Sequence, residues 1–185
     1  MKNVLIVISG PSGVGKGTIA KMLVDKIDSL DLSISCTTRE KRRGEIDGKH
    51  YFFISKEQFE KDIAANGFLE YSEHFGNYYG TPKEFVLNKL KNDDVLLEID
   101  VNGGLKVKKS FTDAVLIMVV PPSIEELKKR LVKRSTETEE QIKVRMQRIE
   151  YELDKKNEYD YVVINDNLDR VVKEIEYIIA KEKNK

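Results

Sequence analysis

A single cysteine, Cys36, cannot close an internal disulfide, and together with two histidines it is too little for a typical zinc site. Disulfide scaffolds and structural zinc modules are excluded, and a reducing cytoplasm is the expected compartment. No excess of either charge exists: 32 basic and 32 acidic residues cancel to a formal net charge of zero. That balance argues against a general nucleic-acid coat protein or an acidic tail. No apolar run approaches the ~20 residues that a membrane-spanning helix needs. The start, Met1-Lys2-Asn3 followed by Val4 to Ile8, is too short in its apolar part for a signal peptide and has no small-residue cleavage site. Neither nucleic acid nor membrane is therefore an expected partner. At 185 residues, with 40% hydrophobic and 35% charged, the chain suits one domain with small insertions.

What is present is an alternation of short apolar runs and longer amphipathic stretches. Val4 to Ile8, Val95 to Asp100, Ala114 to Val120 and Tyr161 to Ile164 are apolar on both faces, as buried strands of a parallel sheet are. Helical spacing lies between them: Ile19, Leu23 and Ile27; Ile124, Leu127 and Leu131 behind a Ser123/Glu126 capping box; Ile142, Met146, Ile149 and Leu153; and Leu168, Val171, Val172, Ile175 and Ile179. The pattern predicts an α/β fold with helices on both faces of a parallel sheet and the ligand at the carboxyl ends of the strands. Residues 33–82 break this rhythm with short β-like pieces (Leu32 to Cys36, His50 to Ile54), turns at Gly44, Gly48 and Gly76, and one helix capped by Ser55 and stopped at Asn66-Gly67. They are expected to form an inserted lobe. The polar stretch Lys133 to Gln141 is expected to be a mobile flap, giving a core over 1–32, 83–132 and 157–185 and a lid with its following helix over 133–156.

The segment Ser9-Gly10-Pro11-Ser12-Gly13-Val14-Gly15-Lys16-Gly17-Thr18 follows an apolar strand and opens an amphipathic helix. That is the setting a G-x-x-x-x-G-K phosphate loop requires. Glycines let the backbone approach an anion, so that successive N–H groups and the helix N-terminus point at phosphate oxygens, and Lys16 adds a cation. A purine nucleoside triphosphate with Mg²⁺ is the expected ligand, contacted by Gly10 through Thr18. Gly17 departs from the common pattern, which has a Ser or Thr there to serve the metal. Either Thr18 has another task or the magnesium is held largely through water and phosphates, so no direct protein ligand to the metal is predicted.

The inserted segment carries Ser35-Cys36-Thr37-Thr38-Arg39-Glu40-Lys41-Arg42-Arg43-Gly44-Glu45, then Asp47-Gly48-Lys49-His50-Tyr51-Phe52-Phe53, Phe68-Leu69-Glu70-Tyr71 and Gly76-Asn77-Tyr78-Tyr79-Gly80-Thr81. With the phosphate loop, Ile99-Asp100 and the Arg134 to Glu139 stretch, these motifs resemble the guanylate kinase family over nearly the whole chain, in the family's order and spacing. The resemblance implies an ATP:GMP phosphotransferase that uses Mg²⁺ and also accepts dGMP, working as a monomer or small homo-oligomer in purine nucleotide metabolism. It implies that Arg39, Arg42, Tyr51 and Tyr79 hold the GMP phosphate, that Ser35, Glu70 and Thr81 read the guanine with Asp100 nearby, and that Arg130, Arg134 and Arg145 converge on the ATP phosphates. Asn165 and Asn167 resemble the adenine-side turn, and turn chemistry explains them equally well. Lys16, Arg39, Arg134 and Arg145 are the expected catalytic cations.

The chemistry of these residue types agrees. Two guanidinium forks and two phenols suit a dianionic phosphate. Guanine presents N1–H and N2–H₂ side by side, and one carboxylate accepts from both, whereas adenine offers a lone pair at N1. Thr81-Pro82-Lys83-Glu84 also reads as a capping box with proline at the first helical position, a role compatible with base contact. Two strand-like runs end in acid, at Asp100 and Asp166; the family pattern favours Asp100, near the acceptor and Mg²⁺. Glu98 points to the same face, where family members often carry an aspartate. Cys36 reads as a small buried filler. Two other readings stay open at this point: a related phosphate-loop kinase acting on another monophosphate or a phosphosugar, and a non-catalytic binding module with the same fold.

Overall fold

A computed structural model of the chain describes residues 2–74, 76–132 and 139–185, without the side chains of 130–132 and 139–142. Among the described residues a parallel sheet runs in the order β2 (Leu30–Leu32), β7 (Asp94–Glu98), β1 (Leu5–Ser9), β8 (Val115–Val120), β9 (Tyr161–Ile164). The unbroken apolar runs have a simple cause. Ile6 and Ile8 face helices α1 (Lys16–Lys26) and α7 (Leu168–Lys183) through Ile19, Leu23, Val172 and Ile175. Leu5 and Val7 face the other side, with Val86 of α3 (Lys83–Lys89) and Val101 and Val107 of α4 (Val101–Ser110). Both faces of β1 are buried, giving the three-layer α/β/α core that the alternating pattern predicts.

A second, four-stranded sheet lies within the 36–82 segment, in the order β4 (Phe52–Phe53), β3 (Cys36–Thr37), β6 (Asn77–Pro82), β5 (Phe68–His74). Helix α2 (Lys56–Ala64) packs on it through Phe59, which stacks between Phe68 and Tyr78 at centroid separations of 4.3 and 5.1 Å. Cys36 sits in this small core, and burial pushes its thiol up to about 12, so it is the inert filler its sequence setting suggests. Ser55 caps α2 through the Gln58 amide at 3.1 Å, and Asn66 takes the left-handed conformation (φ 55°) behind the helix.

Three details differ from the sequence expectations. Leu32 to Cys36 is not one β piece: Leu30–Leu32 is an edge strand of the core sheet, and Cys36–Thr37 belongs to the inserted sheet. Helix α6 (Glu139–Asp154) already begins inside the stretch expected to be a flap. Thr81 does not cap α3: Pro82 is the cap residue, without a side-chain bond to the helix, and the Thr81 hydroxyl turns inward. Helix α5 (Ile124–Val132) keeps its Ser123 cap, with the Glu126 amide donating at 3.1 Å. Among the described residues no helix is long and apolar enough to cross a membrane.

Candidate active site

The phosphate loop leaves β1 at its carboxyl end and closes into α1. Gly10 is pressed on the backbone of β8: an added Cβ would stand 2.2 Å from the Val119 carbonyl oxygen, at φ +148°. Gly15, the residue before α1, has φ +104°, and a Cβ there would meet the Asn165 amide nitrogen at 2.8 Å. That amide donates to the Val14 carbonyl at 2.7 Å, so the buried Asn165 pins the loop to the turn after β9. Lys16 folds back over the loop, its ammonium donating to the carbonyls of Gly10 at 2.7 Å and Pro11 at 3.4 Å. Burial lowers the Lys16 pKa, and the acids Glu98, Glu152 and Asp100 oppose that shift.

β1 and β7 are parallel neighbours with Ile8 opposite Glu98, so the end of β7 lies beside the loop. Asp100 caps α4 by accepting from the Gly103 amide at 2.9 Å, and its other oxygen receives Ser72 at 3.4 Å and His74 Nε2 at 3.3 Å. Burial pushes the Asp100 carboxyl up, but the Gly103 amide and His74 outweigh it and hold it below its ordinary value. Asp166, the other strand-end acid, is exposed and tied to Arg170 at 2.8 Å.

Opposite the loop, β5 and β6 present Glu70, Tyr79 and Thr81. Glu70 is 6% exposed, and the Thr81 hydroxyl donates to its Oε1 at 2.6 Å. Burial pushes its carboxyl up to about 7, with the Thr81 bond opposing. The other oxygen lies against Gly103, where a Cβ would stand only 2.9 Å away. Arg39 is clamped by Glu45 through two parallel bonds of 2.6 and 2.7 Å, and its guanidinium lies 5.1 Å from the centre of the Tyr51 ring. The Arg39 bond and the Arg42 amide hold the Glu45 carboxyl down at about 2.

One cleft of about 510 Å³ is lined by Gly10, Ser12 and Lys16 of the loop, Ser35, Arg42, Tyr51, Glu70 and Tyr79 of the inserted segment, Glu98 at the end of β7 and Asp100 just after it, and Arg145 and Arg148 of α6. A cleft of this size suits a small polar ligand. A larger cavity of about 730 Å³ lies near the amino ends of β1 and β8. Its lysines are committed: Lys2 pairs with Asp113, Lys108 with Asp160, Lys183 with Asp94 and Lys185 with Glu182, while Lys181 covers the Tyr161 ring. The anion-binding features converge on the smaller cleft.

The family model described as guanylate kinase matches residues 2–182. The chain belongs to the guanylate kinase family. It is 54% identical to the guanylate kinase of Caldanaerobacter subterraneus subsp. tengcongensis over 98% of this chain and 89% of that one. The guanylate kinase of Clostridium perfringens strain 13 is 51% identical over 98% of this chain and 85% of its own. The crystal structure of guanylate kinase from Anaplasma phagocytophilum superposes with a TM-score of 0.81 at 31% identity, covering 100% of this chain and 88% of that one.

Within this guanylate kinase fold, Ser35, Arg42, Tyr51, Glu70, Tyr79, Asp100, Lys16 and Arg145 line one space, with Arg39 and Thr81 directly behind Tyr51 and Glu70. Thr18 is exposed at the start of α1. Arg134 and the side chain of Arg130 lie outside the described residues. Four cleft-side groups were missed by sequence reasoning: Glu45, Ser72, His74 and Arg148. Arg148 was findable, because it follows Arg145 by one helical turn and pairs with Glu152, four residues on, at 3.0 Å. Ser72 and His74 carry the same-face spacing of a strand from Glu70. Glu45 had no comparable local signal.

Proposed function

We propose that the chain transfers the γ-phosphoryl group of ATP to GMP or dGMP, giving ADP and GDP or dGDP, with Mg²⁺ accompanying ATP. The observation that carries this reading is the placement of a buried carboxylate, Glu70, in the same cleft as the phosphate-loop cation Lys16. A phosphate loop alone leaves the acceptor open; a carboxylate aligned to accept from N1–H and N2–H₂ selects guanine. Thr81 fixes one carboxylate oxygen and keeps lone pairs for the exocyclic amine. Ser35 stands on the same wall, and Arg39, Arg42, Tyr51 and Tyr79 take the acceptor phosphate.

The reaction breaks the bond between the γ-phosphorus and the β,γ-bridging oxygen and forms one from that phosphorus to a GMP phosphate oxygen. The acceptor is already an anionic oxygen, so no general base is required. Placement and charge do the work. The loop amides and Lys16 hold the donor phosphates, and Arg145 and Arg148 bring positive charge from α6. Among the described residues no group of three or more His, Cys, Asp or Glu can hold a metal alone. The chain still fits Mg²⁺, which is commonly bound by one or two carboxylates together with substrate phosphates. Here Glu98 at the end of β7 and Asp100 just after it would serve, and the ion, when bound, would supply charge neutralisation at the phosphates. A buried cysteine and free nucleotide substrates support a cytoplasmic setting.

Initial rates of ADP formation with GMP, dGMP, AMP, UMP and ribose phosphates test the assignment. GMP and dGMP are expected to be the preferred acceptors. A preference for any of the others overturns it.

A further inference from the structure

Phosphate loops of the G-x-x-x-x-G-K-[ST] form place a hydroxyl beside the lysine, where it serves Mg²⁺. This chain has Gly17 there. The group nearest to the space into which a side chain at position 17 would project is the Glu98 carboxylate: an added Cβ would stand 3.4 Å from Glu98 Oε2 and 3.7 Å from Oε1. Glu98 is placed there by the sheet, as the last residue of β7, opposite Ile8 on the strand that feeds the loop.

The Glu98 carboxylate makes no hydrogen bond and no ion pair among the described residues, although it is an electrostatic neighbour of Lys16. The Lys16 ammonium is turned instead to the carbonyls of Gly10 and Pro11. Asp100 differs, since one of its oxygens holds the Gly103 amide and the other faces Ser72 and His74. Beside a loop built to gather phosphates, an unpaired carboxylate repels the ligand unless a cation stands between them. An aspartate at 98 would be shorter by one carbon–carbon bond, about 1.5 Å, and would withdraw from the Gly17 side.

We infer that Glu98 and Gly17 are an exchanged pair: the glutamate carboxylate supplies the oxygen donor to the nucleotide-borne Mg²⁺ that a hydroxyl at position 17 supplies elsewhere. The inference rests on the ATP:GMP phosphotransferase reading of the cleft. Gly17 has no positive φ, so a serine is compatible with the backbone there.

The test uses Mn²⁺ as probe, its binding to the enzyme–ADP complex read by electron paramagnetic resonance, in wild type, Glu98→Gln, Glu98→Asp and the double variant Glu98→Asp/Gly17→Ser. Both single variants are expected to weaken Mn²⁺ binding by about ten-fold or more. GMP affinity without metal, which also reports folding, should stay at the wild-type value, while ADP affinity in EDTA should not fall in any variant and should rise in Glu98→Gln, where the repelling charge is gone. The double variant should recover most of the lost Mn²⁺ affinity. Mn²⁺ binding unchanged in both single variants overturns the inference, and so does a loss that the serine fails to restore. A wild-type enzyme that does not phosphorylate GMP would overturn the functional reading instead, while the Mn²⁺ titrations would still report on Glu98.

Discussion

The Thr81 hydroxyl donates to Glu70 Oε1 at 2.6 Å inside a wall that leaves Glu70 6% exposed. The bond ties β6 to β5 at the cleft wall and orients a carboxylate that burial has pushed up to about 7. Guanine needs the ionised form, because N1–H and N2–H₂ are both donors. Guanosine, which has no phosphate to titrate, is therefore expected to bind progressively more weakly below pH 7, approaching about ten-fold per pH unit. Calorimetry in two buffers of different ionisation heat should show a proton released on binding near neutral pH. Glu70→Gln should lose the pH dependence and raise KM for GMP by roughly 10²-fold or more.

The same group links pH to stability in the opposite sense. An ordinary glutamate ionises near 4.5, whereas Glu70 in the folded protein ionises near 7. Between those values the folded state holds a proton that the unfolded state has lost. Glu70 therefore costs stability as pH rises from about 4.5 to 7, and the cost is complete above 7. Unliganded Glu70→Gln is expected to be more stable than wild type at pH 8, by up to about 3 kcal/mol, with little difference near pH 4. Urea unfolding at the two pH values measures this. An equal difference at both would remove the buried-carboxylate account.

Glu45 sets the aim of Arg39, accepting from both terminal guanidinium nitrogens while its Oε2 also receives the Arg42 amide at 2.8 Å. With its carboxyl near 2, the clamp is charged throughout the working pH range. Glu45→Gln should raise KM for GMP by roughly 3–10-fold through lost pre-orientation, with kcat nearly unchanged. Guanosine affinity should not move, since it offers no phosphate to Arg39. A matching loss for guanosine would mean that the substitution disturbs the base wall instead.

How much was legible follows from where each residue's partners lie. The long core strands could be read because both their faces are buried, which writes a continuous apolar run into the sequence. The phosphate loop could be read because close anion approach demands glycine. Helix α4 could not, because Gly103 and Gly104 break its pattern for tertiary reasons. Glu70 Oε2 lies 2.9 Å from where a Gly103 Cβ would be, and Ser9 Oγ lies at the same distance from that of Gly104. Edge strand β2 is three residues long and carries Asp31, too little for an alternation signal. Thr81 read as a helix cap because Thr-Pro-Lys-Glu fits that local rule; its partner lies eleven residues back on a paired strand. Family resemblance assembled most of the cleft, but Glu45 is defined by where a neighbouring side chain, Arg39, points.

Lys16→Met keeps length and removes charge. The ammonium now bridges the Gly10 and Pro11 carbonyls, and in turnover it would follow charge onto the transferring group. A loss of about 10²–10³-fold in kcat is expected, while GMP affinity by calorimetry stays the same, because Glu70, Arg39 and Arg42 are untouched. Full turnover would reopen the reading of the fold as a binding module.

Asn165 separates two roles that one residue in this turn can play. Its amide donates to the Val14 carbonyl at 2.7 Å and abuts Gly15, so it acts on the phosphate loop rather than on a base. Asn165→Ala leaves a buried carbonyl without its donor, at a cost of about 1–3 kcal/mol, and should lower the melting temperature by about 2–12 °C. The deciding measurement compares ADP with inorganic tripolyphosphate, which presents phosphates and no base. A loop anchor predicts that both ligands lose affinity by a similar factor, with GMP binding unaffected. If ADP weakens while tripolyphosphate does not, Asn165 reads the adenine side, and its bond to Val14 only positions it to do so.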